Sequence, residues 1–145
     1  MNAEYVKPLP AMQPWSKPFW DGTRQHQLLI QQCKTCNARI FYPRNVCPEC
    51  WSSELGWAQA SGRGKVFCYT VTLTGVEAKF AADLPYVLAM IDLDEGIRMM
   101  GNVIECDPEQ VSIGMEVEVV FDDVTPEITL PKWRPRRGQG ARDVP

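Results

Sequence analysis

Two Cys-x-x-Cys pairs constrain this chain more than any other feature: Cys33-Lys34-Thr35-Cys36 and Cys47-Pro48-Glu49-Cys50, with Asn37 to Val46 between them. Four thiolates at this spacing supply the closed tetrahedral shell that structural zinc prefers. Each pair can wrap one side of the metal on a tight knuckle, and the intervening span suits a short hairpin. The expected ligands are therefore Cys33, Cys36, Cys47 and Cys50. Zinc is the expected ion. Iron in a rubredoxin-like site is the alternative, because the ligand set alone does not choose the metal. A redox Cys-x-x-Cys belongs in a βαβ context, and the sequence shows none.

The remaining composition narrows the setting. No run of eighteen apolar residues occurs, and Met1 to Met12 lacks the basic start and apolar stretch of a signal peptide. The reading is a cytoplasmic protein without a membrane span, in which six cysteines fit metal binding better than a disulfide frame. The net charge of −3 is unevenly placed. Pro131 to Pro145 holds five bases and one acid, whereas the rest holds ten bases and seventeen acids. An acidic body argues against a general nucleic-acid binder.

Punctuation along the chain predicts four segments. Residues 1–29 read as a proline-rich arm and a short helix over Lys17 to Gln25, with Ser16 as N-cap and Pro18 in the first turn. Residues 30–55 hold the ribbon, and 135–145 form a basic tail. Between them, 56–134 read as strands. Val66 to Leu73 alternates, with Phe67, Tyr69, Val71 and Leu73 on one face, and Tyr86 to Ile91 is nearly all apolar, as for a strand covered on both sides. Asp94-Glu95-Gly96 supplies a hairpin turn. Ile97, Met99, Gly101 and Val103 form an inner face, and Asp107-Pro108-Glu109 starts a helical turn. Met115 to Phe121 alternates again, and a last strand runs from Ile128 to Trp133. Five strands with a helical turn between the third and fourth predict a mainly β protein with an OB-type barrel.

Several of these residues, in this order, resemble a known family. Pro18-Phe19-Trp20-Asp21-Gly22 precedes the two knuckles, and Tyr42-Pro43-Arg44 lies between them. Ser61-Gly62-Arg63-Gly64-Lys65-Val66, Tyr69-Thr70 and Ile113-Gly114-Met115-Glu116-Val117 follow. Together they are similar to the domain-of-unknown-function 35 family, OB-fold proteins with a rubredoxin-like zinc ribbon. The resemblance implies an acyl-CoA-associated accessory subunit in a heteromeric complex with a thiolase-like enzyme, with the catalytic residues on the partner. A narrower implication is the small subunit of a benzoylsuccinyl-CoA thiolase.

The residues offer little catalytic machinery of their own. His26 is the single histidine, and no partner for a general base can be named from sequence. It reads as a surface or packing residue. Cys68 and Cys106 read as small buried hydrophobes. As an accessory subunit, the chain would meet CoA phosphates with Lys34, Arg39 and Arg44 beside the ribbon. Trp15, Phe19, Trp20, Trp133 and Arg134 would anchor the partner, since interfaces favour Trp and Arg. The competing expectation for Phe19 and Trp20 is that they close the gap between ribbon and barrel. The alternative function is an OB-fold and zinc-ribbon nucleic-acid module, with Trp57, Phe67 and Tyr69 stacking on bases.

Overall fold

The computed structural model describes residues 4–137. Most of the expected basic tail, 138–145, lies outside the described residues. The first element is a helix, α1, over Lys17–Arg24, with Pro18 in its opening turn. Ser16 precedes it as expected but caps no helical N–H. Its hydroxyl instead accepts from Gln13 N at 3.0 Å and donates to Gln13 O at 3.2 Å. Gly22 lets the helix meet the next strand closely: a Cβ there would stand 2.8 Å from Leu29 Cγ.

The ribbon is a three-stranded antiparallel sheet. Its central strand, β1 (Leu29–Cys33), lies between β2 (Arg39–Ile40) and β3 (Leu55–Gln59). Because β3 pairs with β1 from Cys33↔Leu55 to Leu29↔Gln59, the ribbon sheet reaches past the expected boundary at 55.

The barrel follows as β4 (Arg63–Thr72), β5 (Tyr86–Leu93), β6 (Arg98–Val103), β7 (Glu116–Asp123) and β8 (Thr129–Pro135). They close in the order β4-β5-β6-β8-β7, with a parallel contact between β6 and β8, as an OB-type barrel requires. Gly96, at φ +83°, makes the β5–β6 turn. Asp107 accepts from Glu109 N at 2.9 Å and starts the expected 3-10 turn, Pro108–Gln110. A second 3-10 turn, Ala78–Asp83, joins β4 to β5.

Two strand expectations change. On β5, Val87, Ala89, Ile91 and Leu93 are buried, while the alternate residues are only half-buried, so one face rather than both is fully covered. On β4, a bulge between Val66 and Cys68 breaks the alternation. Val66 is buried opposite Ile91, and Tyr69 and Val71 pair with the buried Ala89 and Val87. Phe67 falls out of phase, 46% exposed, with the Arg98 guanidinium 3.4 Å from its ring centroid. A bulge inserts one residue and so resets which face each side chain takes.

One apolar core runs through both modules, from Phe19, Trp20, Leu28 and Ile30 to Val66, Ile91, Val117 and Trp133. This corrects three interface expectations. Phe19 is 2% exposed, Trp20 is also buried, and Trp133 is 0% exposed, so none is free to anchor a partner in this fold. Phe19 packs edge-on to Trp20 at 4.9 Å and against Phe41 of the ribbon at 5.8 Å, and Trp20 Nε1 donates to the Tyr42 hydroxyl at 3.2 Å. These aromatics close the gap between ribbon and barrel. Trp133 lies against Gly101, where a Cβ would come within 2.7 Å of its ring.

Candidate metal centre and surrounding surface

The two knuckles share one backbone pattern. Cys33 N donates to Ala38 O and Cys47 N to Ser52 O, both at 2.8 Å. Asn37 N closes on Cys33 O at 3.0 Å and Trp51 N on Cys47 O at 2.9 Å, with Asn37 and Trp51 both in the left-handed region at φ +61° and +64°. Thr35 and Ser52 join the knuckles through their hydroxyls at 2.8 Å. The Sγ atoms of Cys33, Cys36, Cys47 and Cys50 consequently lie within 4.8 Å of one another.

The closest approaches, Cys33–Cys50 and Cys36–Cys47, are both 3.6 Å. That is far beyond a disulfide bond. A tetrahedron with zinc–sulfur bonds of ~2.3 Å has sulfur edges of roughly 3.8 Å, so the cluster has the dimensions of a four-thiolate metal shell. Electrostatics point the same way. Backbone N–H groups of Cys36 and Thr35, together with the neighbouring thiols, draw Cys33 down to about 6 against the cost of burial. The Ala38 N–H acts to lower Cys36, but burial and the sulfurs of Cys47, Cys50 and Cys33 outweigh it and push that thiol up to about 12. Thiols this close cannot all ionise without a cation among them. Ile40, Ala38 and Leu55 pack beside the buried Cys33 and Cys47.

The three basic residues expected near the ribbon have different surroundings. Arg39 Nη1 donates to the Glu95 carbonyl, tying the ribbon to the β5–β6 turn. Lys34 and Arg44 are exposed, and neither forms an ion pair among the described residues. The Arg44 backbone is pinned by the buried Gln31 amide, which accepts from Arg44 N and donates to Arg44 O, both at 2.8 Å.

Of the expected anchors, Trp15 is 37% exposed. Arg134 spends its guanidinium within the chain, bonding Glu118 and Glu105 at 3.1 Å each. Sequence reasoning passed over Trp51, which is 80% exposed at the turn after the second knuckle. Its only sequence signal is its place one residue past a Cys-x-x-Cys, where Asn37 stands in the first knuckle. A bulky residue in the left-handed region is strained, and the knuckle bond from Trp51 N to Cys47 O holds it there.

His26 follows the helix rather than lying on it, at φ +56°. The structure supplies the partner the sequence could not name. His26 Nε2 lies 3.0 and 3.1 Å from the Asp123 carboxylate oxygens, and its ring stacks on Phe121 at 5.2 Å. Thr129 donates to Asp123 at 2.6 Å, and with His26 it holds that carboxyl below its usual range. The pair is open to solvent and ties the end of the helix to the β7–β8 hairpin. Cys68 is exposed and Cys106 half-exposed, so neither is the buried hydrophobe expected.

Comparison with known proteins places these features. Residues 20–56 match the family model described as ChsH2, rubredoxin-like zinc ribbon domain, and 57–122 match ChsH2, C-terminal OB-fold domain. A DUF35 domain-containing scaffold protein of Methanocaldococcus jannaschii is 39% identical over 70% of this chain and 73% of its own length. The chain belongs to the DUF35 family. The chain spans less than two thirds of the length of two further relatives. The probable enoyl-CoA hydratase alpha subunit of Thermomonospora curvata is 32% identical over 90% of this chain, which spans 40% of that relative's length. The benzoylsuccinyl-CoA thiolase subunit BbsA of Geobacter metallireducens is 27% identical over 64% of this chain and 60% of its own length. Among solved structures, the Ltp2–ChsH2(DUF35) aldolase superposes with a TM-score of 0.80 at 32% identity, covering 88% of this chain and 98% of that one. As a DUF35 protein, the chain carries a four-cysteine metal-binding ribbon on an OB-fold barrel. No helix among the described residues is long and apolar enough to cross a membrane.

Proposed function

We propose that this DUF35 protein is a noncatalytic, zinc-binding accessory subunit of a thiolase-like enzyme, positioned where that enzyme's acyl-CoA is handled. The observation that carries the reading is the likeness, across almost the whole length of the matched chain, to the DUF35 component of an aldolase complex. Relatives named as hydratase and thiolase subunits support an acyl-CoA setting. The metal centre suits scaffolding. Four thiolates close the shell and leave no position for substrate. Zinc, bound by Cys33, Cys36, Cys47 and Cys50, would stabilise the ribbon without redox chemistry. Trp51, with Trp15, would dock the partner, and Lys34 and Arg44, which form no ion pair among the described residues, would lie beside the CoA phosphates.

Co-expression with a thiolase-like enzyme of the same genome tests this. The expected result is a stable complex whose acyl-CoA turnover exceeds that of the enzyme alone. Separate elution of the two chains with unchanged turnover would refute it.

A further inference from the structure

A second site lies away from the thiol cluster. A cavity of about 530 Å³ opens between the N-terminal arm and the barrel, within the range of small-molecule sites, ~300–1,000 Å³. Leu88 of β5 and Leu130 of β8, with Phe80, Pro85 and Ile104, give it apolar walls. The arm crosses it with Tyr5, Lys7 and Pro8.

The charges around this cavity are already matched. Lys7 pairs with Asp83, and Lys132 with Asp122 at 2.5 Å. A charged ligand would have to break one of these pairs, whereas a neutral one would leave both intact. Asn102 also lines the cavity. Its amide donates to Val87 O at 3.0 Å, which leaves its oxygen and second N–H for one carbonyl or amide of a ligand.

The arm is held by few bonds. Among the described residues its backbone bonds to nothing before Gln13. Lys7 is its tie, reaching Asp83 and lying 5.7 and 6.0 Å from the Tyr5 and Phe80 rings. Exposed ion pairs of this kind hold weakly, and a segment so held opens locally at little cost.

We propose that this cavity binds a neutral, largely apolar acyl or alkyl chain bearing a single carbonyl or amide, under an N-terminal strap that Lys7 fastens to Asp83. The proposal stands apart from the assembly reading: it concerns the isolated chain and requires no partner.

Cys106 lines the cavity and reports on it. Burial and the adjacent Asp107 push this thiol up, so alkylation is run at about pH 8.5, near the free thiol value. The metal-loaded full chain carrying Cys68→Ser is treated with N-ethylmaleimide, and modification of Cys106 is followed by peptide mass spectrometry. The probe is octanamide, neutral with a single amide, against sodium octanoate as the charged counterpart. At ten times its dissociation constant the neutral probe slows alkylation about tenfold, and octanoate slows it far less. Leu88→Trp fills the cavity and abolishes protection. Lys7→Ala speeds alkylation of the free protein about threefold by releasing the strap.

Absence of protection by octanamide, equal protection in Leu88→Trp, or equal protection by octanoate overturns the proposal. Calorimetric titration of octanamide gives a second reading should Cys106 resist alkylation, and Cys106→Phe replaces Leu88→Trp should that variant not fold. No heat with the parent chain, or undiminished binding in the filled variant, again overturns it.

Discussion

Replacing Gly101 by alanine tests whether Trp133 belongs to the barrel core or to a partner interface. Gly101 lies in β6 opposite Ala89, and its backbone is not in the left-handed region, so alanine meets no conformational obstacle there. The obstacle is space. The added Cβ would stand 2.7 Å from Trp133 Cδ1 and 2.9 Å from Nε1, and the fully buried indole has nowhere to retreat. Overpacking of this kind costs about 1–3 kcal/mol. Exchanging a strand glycine for alanine returns about 0.5–1 kcal/mol of chain entropy. The net expectation is a loss of about 1–2 kcal/mol from the isolated, metal-loaded chain, from those two terms. Trp133→Leu shortens the opposing side chain, so Gly101→Ala should turn neutral or slightly stabilising in that background. The two sites then couple by about 1–2 kcal/mol in a double-mutant cycle. Urea unfolding followed by far-ultraviolet circular dichroism reads all four proteins without relying on tryptophan fluorescence. Wild-type stability for Gly101→Ala, or the same penalty with and without Trp133, would refute the packing argument.

Three further outcomes follow from the same geometry. Cys36→Ser should lower bound metal from about one ion per chain to near none and destabilise the ribbon, since ligand loss removes binding energy that supports folding; elemental analysis reads the metal, and undiminished occupancy would exclude the four-thiolate shell. Trp51→Gly should act in opposite directions on two measurements. It relieves about 1 kcal/mol of left-handed strain in the isolated chain, yet weakens partner association by about 2 kcal/mol if Trp51 is an anchor; calorimetric binding with thermal unfolding separates these effects. On the acid side, the Arg134 hydrogen bond, with the Arg137 N–H, holds the Glu118 carboxyl below the usual range against partial burial. A depressed carboxyl stabilises the fold above its unfolded value of about 4.3, and that contribution fades as pH falls through the lower native value. Arg134→Gln should flatten this acid limb of the stability curve, and an unchanged slope would show that the pair contributes nothing.

The elements legible in the sequence are those whose causes are local. The Cys-x-x-Cys spacing, the glycine at the β5–β6 turn, the Asp107 cap and the alternation of β6 and β7 each depend on residues a few positions apart. Backbone sterics and short hydrogen bonds decide them before any distant contact forms. The family resemblance, too, rests on an ordered set of such short motifs. What escaped the sequence depends on strands that meet only when the barrel closes. The bulge after Val66 turns Phe67 outward because β4 must stay in register with β5. Trp133 is core because β8 lies beside β6, where Gly101 leaves room for an indole. His26 finds Asp123, and the arm finds its cavity, only across the completed fold. Hydrophobicity marks Phe19, Trp20 and Trp133 as residues that must be covered, but it is non-directional. Whether the cover comes from this chain or from another is settled by long-range packing, and here the chain buries all three itself.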